Sequence, residues 1–213
     1  MRTVALIQAR LGSTRFPRKI LADLNGKPIL QHVMERAKQI PGVDDVMVIT
    51  PWADREAIAA AIRGIHLFAV NRLNESDVLE RYRRAAEQAN ADVCLRLTAD
   101  CPVLDPVVAS QVLDLYHASA ACDVASNDTL ISGYPDGWDV EVFSRAALET
   151  AAAQATDPSD REHVTPWMKR HLRCVTLYNS EPWTGPKLSV DEPCDLDRVK
   201  QWLLDREGRL GGS

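Results

Sequence analysis

Short apolar runs alternate with helix-patterned segments through the first half of the chain, and that alternation limits the folds open to it. Residues 3–9 read as a buried strand. Residues 29–40 follow as a helix, with Ile29, Val33, Ala37 and Ile40 on one face and Gly42 as its stop. Strands are then expected at 45–50, 66–70 and 93–98, and helices at 54–63, 77–89 and 106–116, the last opened by Pro106. Parallel strands joined by crossover helices make a sheet that is buried on both faces. The expectation is therefore an α/β fold: one domain over residues 1–207 with a mostly parallel, Rossmann-like sheet, and a polar tail at 208–213. The second half is less regular. Strands are expected at 139–143 and 175–178, helices at 145–155 and 161–172, a last short strand at 187–190, and a helix from about 194 to 206. Residues 127–137 are rich in turn formers and read as a mobile loop.

At 213 residues the chain is long enough for one sizeable core. Its 25 Lys and Arg against 30 Asp and Glu give a formal charge of −5, which is not the balance of a protein that coats nucleic acid. Basic residues clustered at one place can still bind a polyanion there. The opening apolar run is broken by Gln8 and Arg10, too soon for a secretory signal, and no segment approaches membrane-spanning length. The five cysteines are odd in number and contain no Cys-x-x-Cys pair, the pattern of reduced thiols. A cytoplasmic protein without nucleic-acid or membrane partners is expected.

The first strand runs directly into a basic stretch, residues 8–19. Arg10, Arg15, Arg18 and Lys19 place four cations within ten residues. Gly12 lets backbone approach a ligand, and Ser13 and Thr14 add hydroxyl donors. In an open parallel sheet, ligands gather at the carboxyl ends of strands, and successive backbone N–H groups there can cradle phosphate oxygens. Neither Gly-x-x-x-x-Gly-Lys-[Ser/Thr] nor Gly-x-Gly-x-x-Gly is present, so spacing alone leaves a phosphate loop and a solvated basic loop equally open. Asp100 and Asp191 lie just past the expected strands at 93–98 and 187–190. Two carboxylates at that edge can hold Mg²⁺ against phosphate oxygens. An Asp before a proline is also a common turn or cap former. Spacing favours the cap for Asp191 and leaves Asp100 open.

Gln8-Ala9-Arg10-Leu11-Gly12-Ser13-Thr14-Arg15-Phe16-Pro17-Arg18-Lys19 with Asn25-Gly26-Lys27-Pro28 resembles the opening of the cytidylyltransferase family. Ser76-Asp77-Val78-Leu79-Glu80-Arg81-Tyr82, Thr98-Ala99-Asp100-Cys101-Pro102 and Val190-Asp191-Glu192-Pro193 resemble later blocks of that family. Ala99 stands where its members usually carry glycine. Tyr134–Val142 and Asp160–Pro166 point to the spore-coat-polysaccharide branch. The resemblance spans nearly the whole chain. It implies a nucleotide-diphospho-sugar-transferase type of fold and Mg²⁺-dependent transfer of CMP from CTP. Carried onto matching positions, Arg10, Arg15 and Lys19 meet the triphosphate. Ala9, Leu11, Gly12, Ser13 and Asp77 line the nucleotide site, Asp100 serves catalysis and nucleotide, and Asp100 with Asp191 holds the metal. It also implies a homodimer.

The acceptor side follows the family less closely, because the longer central insert of the sugar-acid enzymes has no counterpart here. Asp139, Glu141, Arg161 and His163 are the candidates for an acidic small-molecule acceptor. Arg161 and Glu162 could equally pair on a helix surface, and His163 could pack at a subunit contact. Trp167 and Met168 are expected in the core rather than at such a contact. Sugar acids, phosphorylated compounds and phosphonates all remain open as acceptors. So do a nucleotidyltransferase using another nucleoside triphosphate and a non-catalytic nucleotide-binding protein with a glycosyltransferase-like scaffold.

Overall fold

The alternating pattern becomes four parallel strands in the computed structural model, which describes residues 1–64, 66–127 and 131–210. Strand β1 (Thr3–Gln8) is followed by a two-stranded hairpin, β2 (Asp23–Leu24) with β3 (Lys27–Pro28), and by helix α1 (Ile29–Ala37). Then come β4 (Asp45–Pro51), α2 (Arg55–Ala61), β5 (His66–Val70), α3 (Val78–Gln88), β6 (Val93–Thr98) and α4 (Pro106–Ala118). The second half supplies β7 (Val124–Ser126), β8 (Glu141–Ser144), α5 (Arg145–Gln154), α6 (Pro158–His163), α7 (Pro166–His171), β9 (Cys174–Thr176) and α8 (Pro193–Leu210). The main sheet has the order β5-β4-β1-β6-β8-β7-β9. Strands β5, β4, β1 and β6 are mutually parallel, and β8 runs antiparallel between β6 and β7.

Period-two alternation in the strands sorts the core into two layers. Ala5, Ile7, Val46, Val48, Leu95 and Leu97 face α1, α2 and α4. Val4, Leu6, Met47, Ile49 and Cys94 face α3, α5 and α7. Because both faces are covered, β1 is buried along nearly its whole length, as its unbroken apolar run requires. Each large aliphatic side chain buried there stabilises the fold by roughly 1.5–3 kcal/mol relative to exposure. Tyr82 is fully buried and donates its hydroxyl to the Leu6 carbonyl at 3.2 Å, so its polar end is satisfied inside the core. A third cluster (Leu24, Ile29, Val103, Leu188, Val190 and Val199) seats α8 and the small hairpin beside the carboxyl end of β6.

The second half departs from the expected elements at three places. The expected helix over 161–172 is two short helices. Asp157 caps the first with Pro158 in its opening turn, so it begins before residue 161. It stops at Val164, whose φ is 74°, and Pro166 opens the second. The expected strand at 187–190 is not a strand. Leu188 and Ser189 donate their amides to the Asp136 carbonyl and Val190 donates to the Asp100 carbonyl, so the segment is tied to two loops instead of a ladder. β7 was not legible beforehand, because three small or β-branched residues carry too little periodicity. The other expected elements appear with ends shifted by up to a few residues; the strand expected at 139–143 starts at Glu141 and the one at 175–178 starts at Cys174. The loop reading at 127–137 falls partly outside the described residues. Trp167 and Met168 are buried in the layer under α7.

Helix α3 is fastened by charge at its first turn. Asp77 caps it by accepting the Glu80 amide, and Glu80 accepts hydrogen bonds from Arg83 and Arg84. Those bonds, Arg83 first, outweigh burial and hold the Glu80 carboxyl down at about 2, below its ordinary 4.5. A depressed carboxyl pKa contributes stability that is complete above the ordinary value and is lost as pH falls toward the folded one. The partners are surface arginines one turn away and solvent screens them, so urea unfolding of wild type and Glu80→Gln should differ by about 1 kcal/mol at neutral pH, and converge between about pH 4.5 and 2.

Candidate active site

The sheet delivers its chemistry at one edge, where β1 and β6 end. Past Gln8 the chain curls back on itself: Ser13 and Arg18 both donate their amides to the Leu11 carbonyl, at 2.9 and 3.1 Å. The Leu11 amide donates to the Asp54 carboxylate at 2.8 Å, which pins the loop to the segment after β4. Arg18 adopts a left-handed φ of 59°, and a single 3-10 turn from Lys19 to Leu21 follows. This geometry directs Arg10, Arg15 and Lys19, with Gly12, Ser13 and Thr14, into a cleft of about 410 Å³ whose far wall is Thr98, Ala99, Asp100 and Asp191. Arg18 is not among the lining residues.

Not every expected contact of this loop faces the cleft. Ala9 is buried and its amide bonds the Ile49 carbonyl, while the amides of Leu11 and Ser13 are spent within the protein. The cations and hydroxyls of the loop, rather than those three N–H groups, are what the cleft presents. Gly12 has no left-handed φ, and its open side is taken up by the Glu75 carboxylate, 3.2 Å from where a Cβ would stand.

Lys19 is the centre of the arrangement. Its Nζ lies 2.7 Å from Asp100 Oδ2 and 3.0 Å from Asp191 Oδ1. Burial works to lower its pKa, but the two carboxylates win and raise it, so the ammonium is retained. Asp191 is also met by Arg15 at 3.1 Å and by Lys187 at its other oxygen. Burial pushes its carboxyl up, yet the hydrogen bonds from Lys187 and Lys19 bring it down to about 2. The Asp191 carboxylate does not cap α8. That role falls to Asp195, whose Oδ2 accepts the amides of Asp191 and Glu192 at 2.8 and 3.0 Å. The single backbone bond from Val190 to Asp100 is what sets Asp191 beside Asp100.

A second cavity of about 290 Å³ opens on the other side of the same wall. It shares Thr98, Asp100 and Asp191 with the basic cleft and is otherwise lined by Arg96, Cys101, Asn127, Asp136, Asp139, Val140, Glu141, Lys169 and Ser189. Asp139 comes from a turn whose Gly137 amide it accepts at 3.0 Å. Glu141 is the first residue of β8, and the antiparallel register sets it opposite Arg96 of β6.

The structure brings Asp139 and Glu141 into this cavity and places the other two acceptor candidates elsewhere. Arg161 makes a two-pronged pair with Asp77, both contacts at 3.0 Å, and also donates to the Ala152 and Ala155 carbonyls. Together they line a small separate pocket with Asn74 and Ser76, so neither Asp77 nor Arg161 is in the wall of either larger cavity. Arg161 does not pair with Glu162, which instead lies 3.4 Å from Arg10. His163 is exposed and lines neither cavity. Arg96, Lys169 and Lys187 were missed in the sequence, since no local spacing marks any of them and only pairing across strands and loops assembles them. No group of three or more metal-ligating side chains occurs among the described residues. No helix among them is long and apolar enough to cross a membrane.

A basic cleft and an acidic-walled cavity that meet at two aspartates suit the transfer of a phosphate-bearing group. The chain matches the cytidylyltransferase family over residues 4–201. An 8-amino-3,8-dideoxy-manno-octulosonate cytidylyltransferase from Shewanella halifaxensis is 35% identical over 211 residues, covering 94% of this chain and 84% of that protein. The spore coat polysaccharide biosynthesis protein SpsF of Bacillus subtilis is 30% identical over 205 residues, covering 92% and 83%. A solved cytidylyltransferase from Leptospira borgpetersenii superposes with a TM-score of 0.86 at 28% identity, covering 96% of this chain and 87% of that one. Because the family match runs from β1 to α8, it takes in both cavities and the aspartates between them: this chain belongs to the cytidylyltransferase family and is a CTP-dependent nucleotidyltransferase.

Proposed function

We propose that the enzyme transfers CMP from CTP to a sugar acid, with Mg²⁺ as its metal and pyrophosphate as the second product. The observation that carries this reading is the wall of Thr98, Asp100 and Asp191 common to the two cavities. CTP lies with its phosphates in the basic cleft, where Arg10, Arg15 and Lys19 offset their charge. The acceptor lies in the neighbouring cavity, and the α-phosphorus sits where the two meet. An acceptor oxygen forms a bond to that phosphorus as the bond to the pyrophosphate oxygen breaks, in line. Catalysis is then chiefly positioning and charge neutralisation. The sugar-acid class is supported by the octulosonate named for the Shewanella relative.

The donor set fits the metal. Mg²⁺ is held by one or two carboxylates together with substrate phosphates. Asp100 and Asp191 both reach one Lys19 Nζ, at 2.7 and 3.0 Å, so their oxygens already converge on a single cation. They are the residues that would hold it, and when bound it would polarise the α-phosphate. Lys19, which bridges the same carboxylates, supplies its charge to the phosphates.

The test is pyrophosphate release from purified protein given each nucleoside triphosphate with Mg²⁺ and a panel of octulosonic and nonulosonic acids, phosphate esters and phosphonates. Release with CTP and one sugar acid is the expected result. Release with UTP or GTP in preference to CTP, or with a phosphate ester alone, would overturn the nucleotide or the acceptor assignment respectively. Thermal shift with each nucleotide reports binding independently of turnover, since a ligand of the native state raises its apparent stability.

A further inference from the structure

The stretch from Asp160 to Pro166 reaches both of the larger cavities through its contacts while lining neither. Arg161 fastens it to α3 through the two-pronged pair with Asp77, and to α5 through the Ala152 carbonyl. Asp160, only 4% exposed, fastens it to α7 by accepting from Arg170 at 2.5 Å. Between these anchors, Glu162 reaches Arg10 of the basic loop at 3.4 Å. Thr165 donates its hydroxyl to Glu141 Oε1 at 2.7 Å.

On an unbroken helix, residues 162 and 165 would share a face. They reach different cavities because the chain turns at Val164, where φ is 74° and ψ is −59° and the Thr165 amide donates back to the His163 carbonyl at 2.9 Å. That is a strained three-residue turn, and a side chain branched at Cβ is poorly suited to it. Such strain persists only where the surroundings over-determine it. Here the Val164 side chain is fully buried in the layer under α7, and the anchors at Asp160 and Arg161 hold the chain just before it. The groups held on either side belong to the two cavities. Arg10 lines the basic cleft, and a guanidinium has five N–H donors, so a bond from Nη1 to Glu162 leaves others for a phosphate. Glu141 lines the second cavity. Burial pushes its carboxyl up, but Arg96, Lys169 and the Thr165 hydroxyl hold it below the usual range, so it stays an ionised acceptor.

We propose that Glu162 and Thr165 are positioning residues, one on each side of the Val164 turn. Glu162 holds Arg10 in the wall of the basic cleft, ready for the triphosphate, and Thr165 holds Glu141 in the wall of the second cavity. Neither touches substrate; each acts through the residue it holds. Because the turn gives each its own site, their effects separate: Glu162 bears on the nucleotide and Thr165 on the acceptor. This rests on the reading of the basic cleft as the CTP site and of the second cavity as the acceptor's.

The experiment measures KM for CTP and for the acceptor, with 3-deoxy-manno-octulosonate and 8-amino-3,8-dideoxy-manno-octulosonate as acceptors, beside a thermal-unfolding curve for each variant. Glu162→Ala is expected to raise KM for CTP about 2- to 5-fold, the range of an exposed ion pair, and to leave KM for the acceptor unchanged. In an Arg10→Ala background the same change should have no further effect, because Glu162 acts only through Arg10. Thr165→Val keeps the shape and removes the hydroxyl, and Thr165→Ala removes it without crowding. Both are expected to raise KM for the acceptor about 5- to 10-fold with KM for CTP unchanged, and Thr165→Ser to restore it. A lower KM for CTP in Glu162→Ala would mean that Glu162 competes with the triphosphate for Arg10, and would overturn its half of the proposal; so would an undiminished effect without Arg10. Equal losses for CTP and acceptor in the Thr165 variants, or no recovery with serine, would reduce Thr165 to a contact of the fold and overturn the other half. Failure of wild type to bind CTP, or to use either acid, would instead sink the functional reading beneath both.

Discussion

Asp100→Asn is expected to lower kcat by about 10²- to 10³-fold, with saturating Mg²⁺ unable to restore it. The residue stands in the wall of both cavities, and its Oδ2 lies 2.7 Å from Lys19 Nζ. Asparagine keeps the shape and removes the charge. Lys19 then loses one of its two anionic partners, and the proposed Mg²⁺ would lose one of its two carboxylates. Both losses fall where negative charge accumulates during transfer, so they weigh on the reaction more than on the fold. The measurement is steady-state pyrophosphate release with a parallel thermal-unfolding curve. A variant that unfolds like wild type and keeps full turnover would remove Asp100 from the mechanism.

Gly137→Ala is expected to cost about 2–5 kcal/mol of stability and to raise KM for the acceptor. Gly137 has a φ of 111°, a conformation that side-chain-bearing residues rarely adopt. A Cβ there would stand 2.6 Å from the Leu188 carbonyl carbon and the Ser189 amide nitrogen. Those are backbone atoms, so no side-chain rotation relieves the clash. The close approach is what lets the Leu188 and Ser189 amides reach the Asp136 carbonyl, at 2.7 and 3.1 Å. One contact thus joins the turn carrying Asp136 and Asp139 to the segment carrying Lys187 and Asp191. Pushing them apart should loosen the second cavity, proposed above to take the acceptor, before it touches the basic cleft. Urea unfolding and KM values for CTP and acceptor test this together. Wild-type stability, or a loss confined to CTP, would contradict it.

The two cavities also explain why the parts of this enzyme were unequally readable. The basic loop is continuous in sequence, and three of its four cations face the cleft because they follow directly on a parallel strand whose carboxyl end is the ligand edge. Asp191 was expected through a strand at 187–190, and it arrives instead through the bond from Val190 to Asp100. The position was legible while its route was not, since one backbone hydrogen bond leaves no periodic mark. Asp77 shows the opposite case. Its place at the start of α3 was evident, yet its carboxylate is engaged by Arg161, 84 residues away.

The local pattern by itself determined the parallel strands β1, β4, β5 and β6, the helices that cover them, and the placement of Arg10, Arg15, Lys19 and Asp100 at one edge. These follow from periodicities and turn residues within a few positions of each other, which is the range over which sequence carries physical information directly. Only the tertiary structure decided the second cavity. An antiparallel strand laid among parallel ones presents its first residue at the edge where they present their last, and that reversal is what puts Glu141 beside Arg96. Lys169 from α7 and Asp136 from a distant turn then complete the cavity across separations of tens of residues. No local pattern encodes such a meeting, because it is set by packing of the whole sheet and by the energetic need to pair buried charge.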